Sequence, residues 1–492
     1  MSFFVARQSS GGELSRARRL LILGICSLSL LIVGLDTTIV NVALPAIHRS
    51  LHASLSGLQW TIDAYTLVLA SLLMLAGSTA DRLGRRATFQ AGLVVFSLGS
   101  ALCAAAPSLG FLVAARVVQA IGGAMLNPVA MSIIRNVFED PRERAKAIGV
   151  WGAVFGLSLA LGPIVGGALV DAVSWRAVFL VNLPVGLIAI VLTMLFVPES
   201  RAPRPRRIDP VGQVLVIVGL ATLTYAIIEG RRQGWTSAEI LGLFAVAAVS
   251  FVTLIFYELR RREPLLEVRF FRSVPFSGAS AIAVCVFAGI GGFLFLNTLY
   301  LQEVRGLSPF HAGLYLLPMA VGTFIFAPVS GRLVARVGAR PSLVLGGLAL
   351  LAGALMLTGL TPSTSTAFLL AAYAIFGLGS GLINPPITNT AVSGMPPAQA
   401  GVAAAVASTS RQVGMTLGVA VVGAVAGTVG GAAASGAGGF AAATHPAWWI
   451  IAALGAIVAA LGLATTTPWA YRTAIATAER LEHVDEPVAV AA

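Results

Sequence analysis

Three charged side chains stand inside apolar sequence: Asp36 in the run from Leu20 to Pro45, Asp63 in the run 60–79 and Arg116 in the run 109–134. Holding an ionisable group at membrane depth is expensive, so each is a functional candidate. At 1.5 Å rise per residue, Asp36 lies about 9 Å, Asp63 about 5 Å and Arg116 about 10 Å below the outer ends of their helices, which puts all three in the outer half of one bundle. Two carboxylates near one guanidinium can compete for it and for protons, which suits proton-coupled work. The same residues also fit a permanent Asp36/Arg116 ion pair that only fixes helix packing. Asp63 is near enough to the interface to be solvated.

The elements that must hold these groups follow from composition. Of 492 residues 57% are hydrophobic and only 11% charged, and the mean hydropathy is +0.89, far from the usage of soluble domains. The chain reads as an all-α polytopic membrane protein and not an enzyme. A net charge of +12 would suit nucleic acid, but the arginines fall in short segments between apolar runs, as membrane topology requires. Hydropathy predicts fourteen spans: 20–42, 60–79, 88–106, 109–134, 146–169, 177–197, 210–229, 239–257, 275–301, 311–331, 341–360, 366–388, 401–427 and 447–467. With the N-terminus inside, 25 of the 32 Lys and Arg face the cytoplasm and five face outward, so both termini are expected in the cytoplasm of a cell whose plasma or inner membrane holds the protein. The first run is too long for a signal-peptide core and is read as a retained helix.

An internal repeat organises the spans. Gly77-Ser-Thr-Ala-Asp-Arg-Leu-Gly-Arg-Arg86 is echoed by Gly331-Arg-Leu-Val-Ala-Arg-Val-Gly-Ala-Arg340, and Gly122-Gly-Ala-Met-Leu-Asn-Pro128 by Gly379-Ser-Gly-Leu-Ile-Asn-Pro385. The expected division is a cytoplasmic N-terminus (1–19), a six-helix bundle (20–200), a basic linker with two inserted helices (201–274), a second six-helix bundle (275–467) and a polar cytoplasmic tail (468–492). Parallel repeats suit a transporter whose halves rock about a central site. The basic connectors 201–207 and 260–272 read as hinges, and the Gly/Ala-rich segment 427–443 as a flexible external loop.

The turn after the second span carries Gly77, Asp81, Arg82, Gly84, Arg85 and Arg86. Positive-inside topology explains the arginines, but a gate latch explains Asp81 and the glycines as well. In the fifth span Gly156, Gly162, Pro163, Gly166 and Gly167 make a small-residue face with a kink. Asn41, Trp60, Tyr65, Gln119, Asn297, Asn384, Arg411 and Gln412 are polar or amphipathic positions able to line a cavity, Trp60 doubling as an interfacial residue. Arg411, about 15 Å into its span, is the one charge deep in the second half and could meet an anionic group. His48 and His52 share a helical face but make a poor metal site, and the three cysteines suggest packing, so no metal is expected. Without a phosphate-cradling Gly-Lys loop no ATP site is expected either. The energy source is then a proton gradient, with no cofactor.

At this point the sequence resembles the major facilitator superfamily, specifically its fourteen-helix drug:proton antiporter branch. The resemblance rests on Leu35-Asp-Thr-Thr-Ile-Val-Asn-Val-Ala-Leu-Pro45, on Gly77 to Arg86, on Arg116-Val-Val-Gln-Ala-Ile-Gly-Gly123, on Gly162-Pro-Ile-Val-Gly-Gly167 and on Trp175-Arg-Ala-Val-Phe-Leu-Val-Asn-Leu-Pro-Val-Gly186. It implies the major facilitator fold and export of amphiphilic, cationic or neutral small molecules in exchange for protons by alternating access. In that reading Asp36, Asp63 and Arg116 couple protons, Gly77 to Arg86 gate, and the helix 5 glycines form the antiporter motif. A monomer in the lipid bilayer with no nucleic-acid partner is expected. A narrow exporter of one endogenous metabolite, antibiotic or lipid is the alternative, and a non-transporting sensor or scaffold a weaker one. Ala335 stands where the second gate copy would carry its aspartate.

Overall fold

Helix starts are written locally: Ser54, Ser108, Asp140 and Asp209 each follow a loop and turn a side-chain oxygen back onto the backbone N–H groups of the turn ahead. The computed structural model describes residues 15–202, 208–261, 263–393, 395, 400–433 and 437–485. Among them the regular structure is helical: α1 (Arg16–Leu51), α2 (Leu55–Leu83), α3 (Arg85–Ala104), α4 (Leu109–Val137), α5 (Pro141–Ala172), the pair α6 (Ala177–Leu180) and α7 (Asn182–Phe196), α8 (Pro210–Gln233), α9 (Ala238–Arg260), α10 (Val274–Leu299), the pair α11 (Pro309–Tyr315) and α12 (Leu317–Val337), α13 (Arg340–Leu357), α14 (Thr366–Val392), α15 (Ala400–Ala433), α16 (Ala437–Ala464) and α17 (Pro468–Asp485). Thirteen helical stretches among the described residues are long and apolar enough to cross a bilayer. Helix α15, 34 residues long and packed on α10, α2 and α16, takes the place of the remaining expected span, 401–427.

Packing pairs recur in the two halves. The contacts α1 with α5, α2 with α4, α3 with α4 and α3 with α7 have counterparts in α10 with α15, α12 with α14, α13 with α14 and α13 with α16. Close approach depends on glycine: a Cβ on Gly122 of α4 would strike the Phe96 Cα at 2.7 Å, and one on Gly379 of α14 the Leu350 backbone nitrogen at 2.8 Å. The halves meet where α15 lies on α2 and where α5 lies on α11 and α12. Helices α8 and α9 form a hairpin seated through α8 on α2 and α15. There Trp60 donates to Glu229 at 3.0 Å, and Gln213 donates to the Ser71 carbonyl at 2.7 Å.

One expectation needs correcting. The Gly/Ala-rich segment 427–443 is not a loop: α15 runs to Ala433 and α16 begins at Ala437, with 434–436 outside the described residues. Alanine has the highest helix propensity and offsets the interspersed glycines. The tail after Pro468, expected only to be polar, is helical over its described residues. As α17 it buries Ala470, Ala474, Thr477 and Leu481, a helical stripe laid on α10 and on the turn Val268–Arg272. Of the first basic connector, 203–207 lie outside the described residues.

Candidate functional site

Five helices converge on Asp36. Its carboxylate is wholly enclosed, and Arg116, 1% exposed, donates through Nη1 to Asp36 Oδ2 at 2.5 Å. The same nitrogen donates to Gln119 Oε1 at 2.6 Å, and Nε donates to the Thr61 carbonyl at 3.1 Å. The other Asp36 oxygen accepts from Gln119 Nε2 at 2.8 Å and from Asn182 Nδ2 at 3.2 Å. Ser100 accepts from both of those amides, which fixes their orientation. The Tyr65 ring lies 4.1 Å from the guanidinium carbon, so the cation also has a π-face beneath it. A buried pair of this kind persists only when its other donors and acceptors find partners, and here both Asp36 oxygens and the Nε and Nη1 of Arg116 have them.

Placement explains the constellation. Arg116 and Gln119 stand three apart on one face of α4, and the break between α6 and α7 puts Asn182 at the first turn of α7. The sequence lets both Asp36 and Asp63 compete for Arg116, and the structure pairs it with Asp36; Gln119 and Tyr65, expected in the cavity, join this network instead. The sequence does not single out Ser100, Thr61 or Asn182 as ligands of the pair. Asn182 stands within the quoted segment Trp175 to Gly186, so a signal existed.

Asp63 is also fully buried, but neither carboxylate oxygen has a hydrogen-bond partner among the described residues, and Arg116 does not pair with it. On α2 it stands between Gln59, which donates to the Val419 and Ala420 carbonyls of α15, and Thr66, which accepts from Thr416 of α15. By helical spacing it shares the face that meets the second half.

Between the halves lies a cavity walled by α1, α5, α10, α12, α14 and α15, with Thr38, Leu159, Phe287, Ile290, Met319 and Asn384 among its lining residues. Asn384 is the one expected cavity residue on this wall. Asn41 turns back on the Thr37 carbonyl, Asn297 accepts from Tyr373 inside the second bundle, Trp60 faces α8, and Arg411 rests against Phe287 with Gln412 beside it in sequence.

The small face of α5 divides its labour. Gly156 lines the cavity. A Cβ on Gly166 would meet the side chain of Ile39 at 2.6 Å, and one on Gly162 would enter Thr38, both on α1. Gly167 lies against the Pro309 and Phe310 backbone of α11, while Gly313 of α11 lies against Pro163. At the end of the bundles remote from the chain termini the seam is closed further by Arg49 with Glu303 at 3.3 Å, by Gln302 donating to the Val42 carbonyl at 2.9 Å, and by Asp171 accepting from Phe310 N at 3.0 Å.

The basic turn is built around Gly84, whose φ of +117° favours glycine. Asp81 pairs with Arg85 at 3.0 Å, its carbonyl accepts from Ala202, and Glu199 caps α3 by accepting from Arg86 N and Ala87 N at 3.1 Å. Arg86 also donates to the Met194 carbonyl. Gly77 sits 3.9 Å from Pro128 of α4 by its projected Cβ.

A sequence model of the Major Facilitator Superfamily matches residues 26–419. The chain is 39% identical over 407 residues to the multidrug resistance protein Stp of Mycobacterium tuberculosis, covering 83% of this chain and 76% of the relative. It is 39% identical to the methylenomycin A resistance protein of Streptomyces coelicolor (80% and 82% covered) and 38% identical to the tetracenomycin C resistance and export protein of Streptomyces glaucescens (81% and 74%). Among solved structures it superposes on a D-xylose-proton symporter with a TM-score of 0.66 at 17% identity, covering 90% and 97% of the two chains. A bacterial homologue of the lysosomal transporter Spinster gives 0.64 at 19%, covering 94% and 99%.

Proposed function

Because the chain belongs to the Major Facilitator Superfamily, we propose that it is a drug:proton antiporter, exporting amphiphilic small molecules across the cell membrane by alternating access. It works as a monomer with both termini in the cytoplasm and draws on the proton gradient, with no cofactor. The relatives' names support export of drugs or antibiotics. One observation carries the coupling: on α1, Asp36 holds the Arg116 network, and Thr38, two residues on, lines the central cavity and touches Gly162 of α5. A proton on Asp36 frees Arg116. The rearranged α1 then shifts the wall of the cavity and its glycine contact with α5. Asp63, at the seam with α15, is the second proton site. The seam remote from the termini is the extracellular gate, and the six-helix halves are the rocking bodies.

The test is proton release from purified protein in weakly buffered solution, screened with cationic, neutral and anionic amphiphiles. Binding should release protons, and the same ligands should be moved by a pH gradient in proteoliposomes. Binding with neither proton release nor gradient-driven flux overturns the reading. Two relatives named for a single antibiotic favour a second reading, a narrow-specificity exporter, for which one compound class in that screen responds.

The gate role of the basic turn gives a smaller effect. Asp81→Asn removes a partly buried ion pair worth about 0.2–1 kcal/mol. Turnover should fall a few-fold while ligand affinity stays the same. Unchanged turnover removes the latch.

A further inference from the structure

Arg411 differs from Arg116 in having no counter-ion among the described residues. Its Nη2 donates to Thr388 Oγ1 and its Nη1 reaches Ser408 Oγ at 3.5 Å, but Nε is buried without a partner and no carboxylate pairs with it among the described residues. A cation inside a membrane-spanning helix with only neutral hydroxyls as acceptors is costly to hold and is expected to serve a function.

Its position says what that function is. The guanidinium carbon lies 5.9 Å from the centroid of the Phe287 ring, and Phe287 lines the central cavity. Met415, one turn further along α15, lines it too, as does Asn384, one turn before Thr388 on α14. The amide of Asn384 makes no hydrogen bond among the described residues. None of the residues lining the cavity is charged, and Arg411, which is not among them, adjoins the cavity through Phe287.

We propose that Arg411 is a specificity-determining residue that recognises an acidic head group, so that the cargo is an amphiphile with an apolar body and a carboxylate. The proposal rests on the exporter reading and names its substrate class. The planar guanidinium offers donors in the geometry that a carboxylate accepts in pairs, and such charge-assisted bonds strengthen as water is excluded. Asn384 supplies a further donor from the opposite helix. The charge so assigned is opposite to the cationic cargo that the family resemblance implies.

The experiment uses the full chain in nanodiscs and one scaffold, anthracene, bearing a carboxylate, a carboxamide or a methylammonium group. The carboxylate should bind about tenfold or more tightly than the methylammonium. Arg411→Gln should lose about tenfold on the carboxylate while the carboxamide stays within about twofold, which also shows that the variant is folded. Arg411→Lys, which keeps the charge but not the fork, should fall between, and it carries the test if the glutamine variant does not fold. An unchanged carboxylate affinity in either variant, or a wild type that prefers the methylammonium, overturns the proposal. Flux under a pH gradient separates the two readings. Movement of the amide or the amine without the carboxylate sinks the acidic cargo and leaves export standing. Selective carboxylate binding through Arg411 with none of the three moved sinks export and leaves the site.

Discussion

Asp36→Asn should reduce proton-driven transport in proteoliposomes to the level of empty vesicles while the protein still inserts and binds ligand. The amide keeps the shape of the carboxylate but cannot carry a proton on and off. It also leaves Arg116 buried without its counter-charge, a loss that costs about 3–5 kcal/mol where one partner of an enclosed pair is removed. The Gln119 and Thr61 oxygens and the Tyr65 ring still face the cation, so the bundle is weakened rather than lost. The double variant Asp36→Asn/Arg116→Gln separates stability from coupling. Removing both charges should recover much of the lost thermal stability, because the desolvation penalty disappears with them. Transport should not return. If the pair only fixed packing, the double variant would transport at the wild-type rate wherever it is folded, and the coupling role would be excluded.

What was legible in the sequence follows from what hydropathy measures. Span length reports how far a helix must travel through lipid, so the long apolar helices that carry Asp36 and Arg116 could be read directly. Rotation about each helix axis is not in that signal. It decides that Gln119 turns toward Asp36 and Ser100 and away from the cavity, and that Trp60 faces Glu229 on α8. The partners of the pair come from positions 83 and 146 residues away in the chain, and only packing of α1, α3, α4 and α7 brings them together. Composition misled at both places where it stood in for periodicity. The Gly/Ala run looked like a loop although alanine carries α15 to Ala433 and lets α16 begin at Ala437, and the polar tail hid the buried stripe Ala470, Ala474, Thr477 and Leu481.

Gly167→Val should lock the transporter away from the closed state of the seam remote from the termini. A Cβ at this position would lie 2.6 Å from the Cα of Phe310 and 2.7 Å from the Pro309 carbonyl carbon, and both atoms are backbone, which cannot swing aside. The reciprocal contact is as tight: a Cβ on Gly313 would sit 2.8 Å from the Pro163 carbonyl carbon, so α5 and α11 meet main chain to main chain. Overpacking of this kind costs about 1–3 kcal/mol. If α5 and α11 part when the seam opens, as the proposed mechanism requires, the whole of that falls on the closed arrangement, and the ratio of closed to open should drop about fivefold or more. Spin labels at R49C and E303C, across the seam, should report a longer mean separation in the valine variant than in the parent. Transport should fall in proportion, since a transporter that cannot close outside cannot return to collect cargo. The thermal unfolding of the variant should stay near that of the parent, as the open state avoids the clash. Unaltered label distances with lost transport would place the role of Gly167 within the N-terminal bundle and not at the seam.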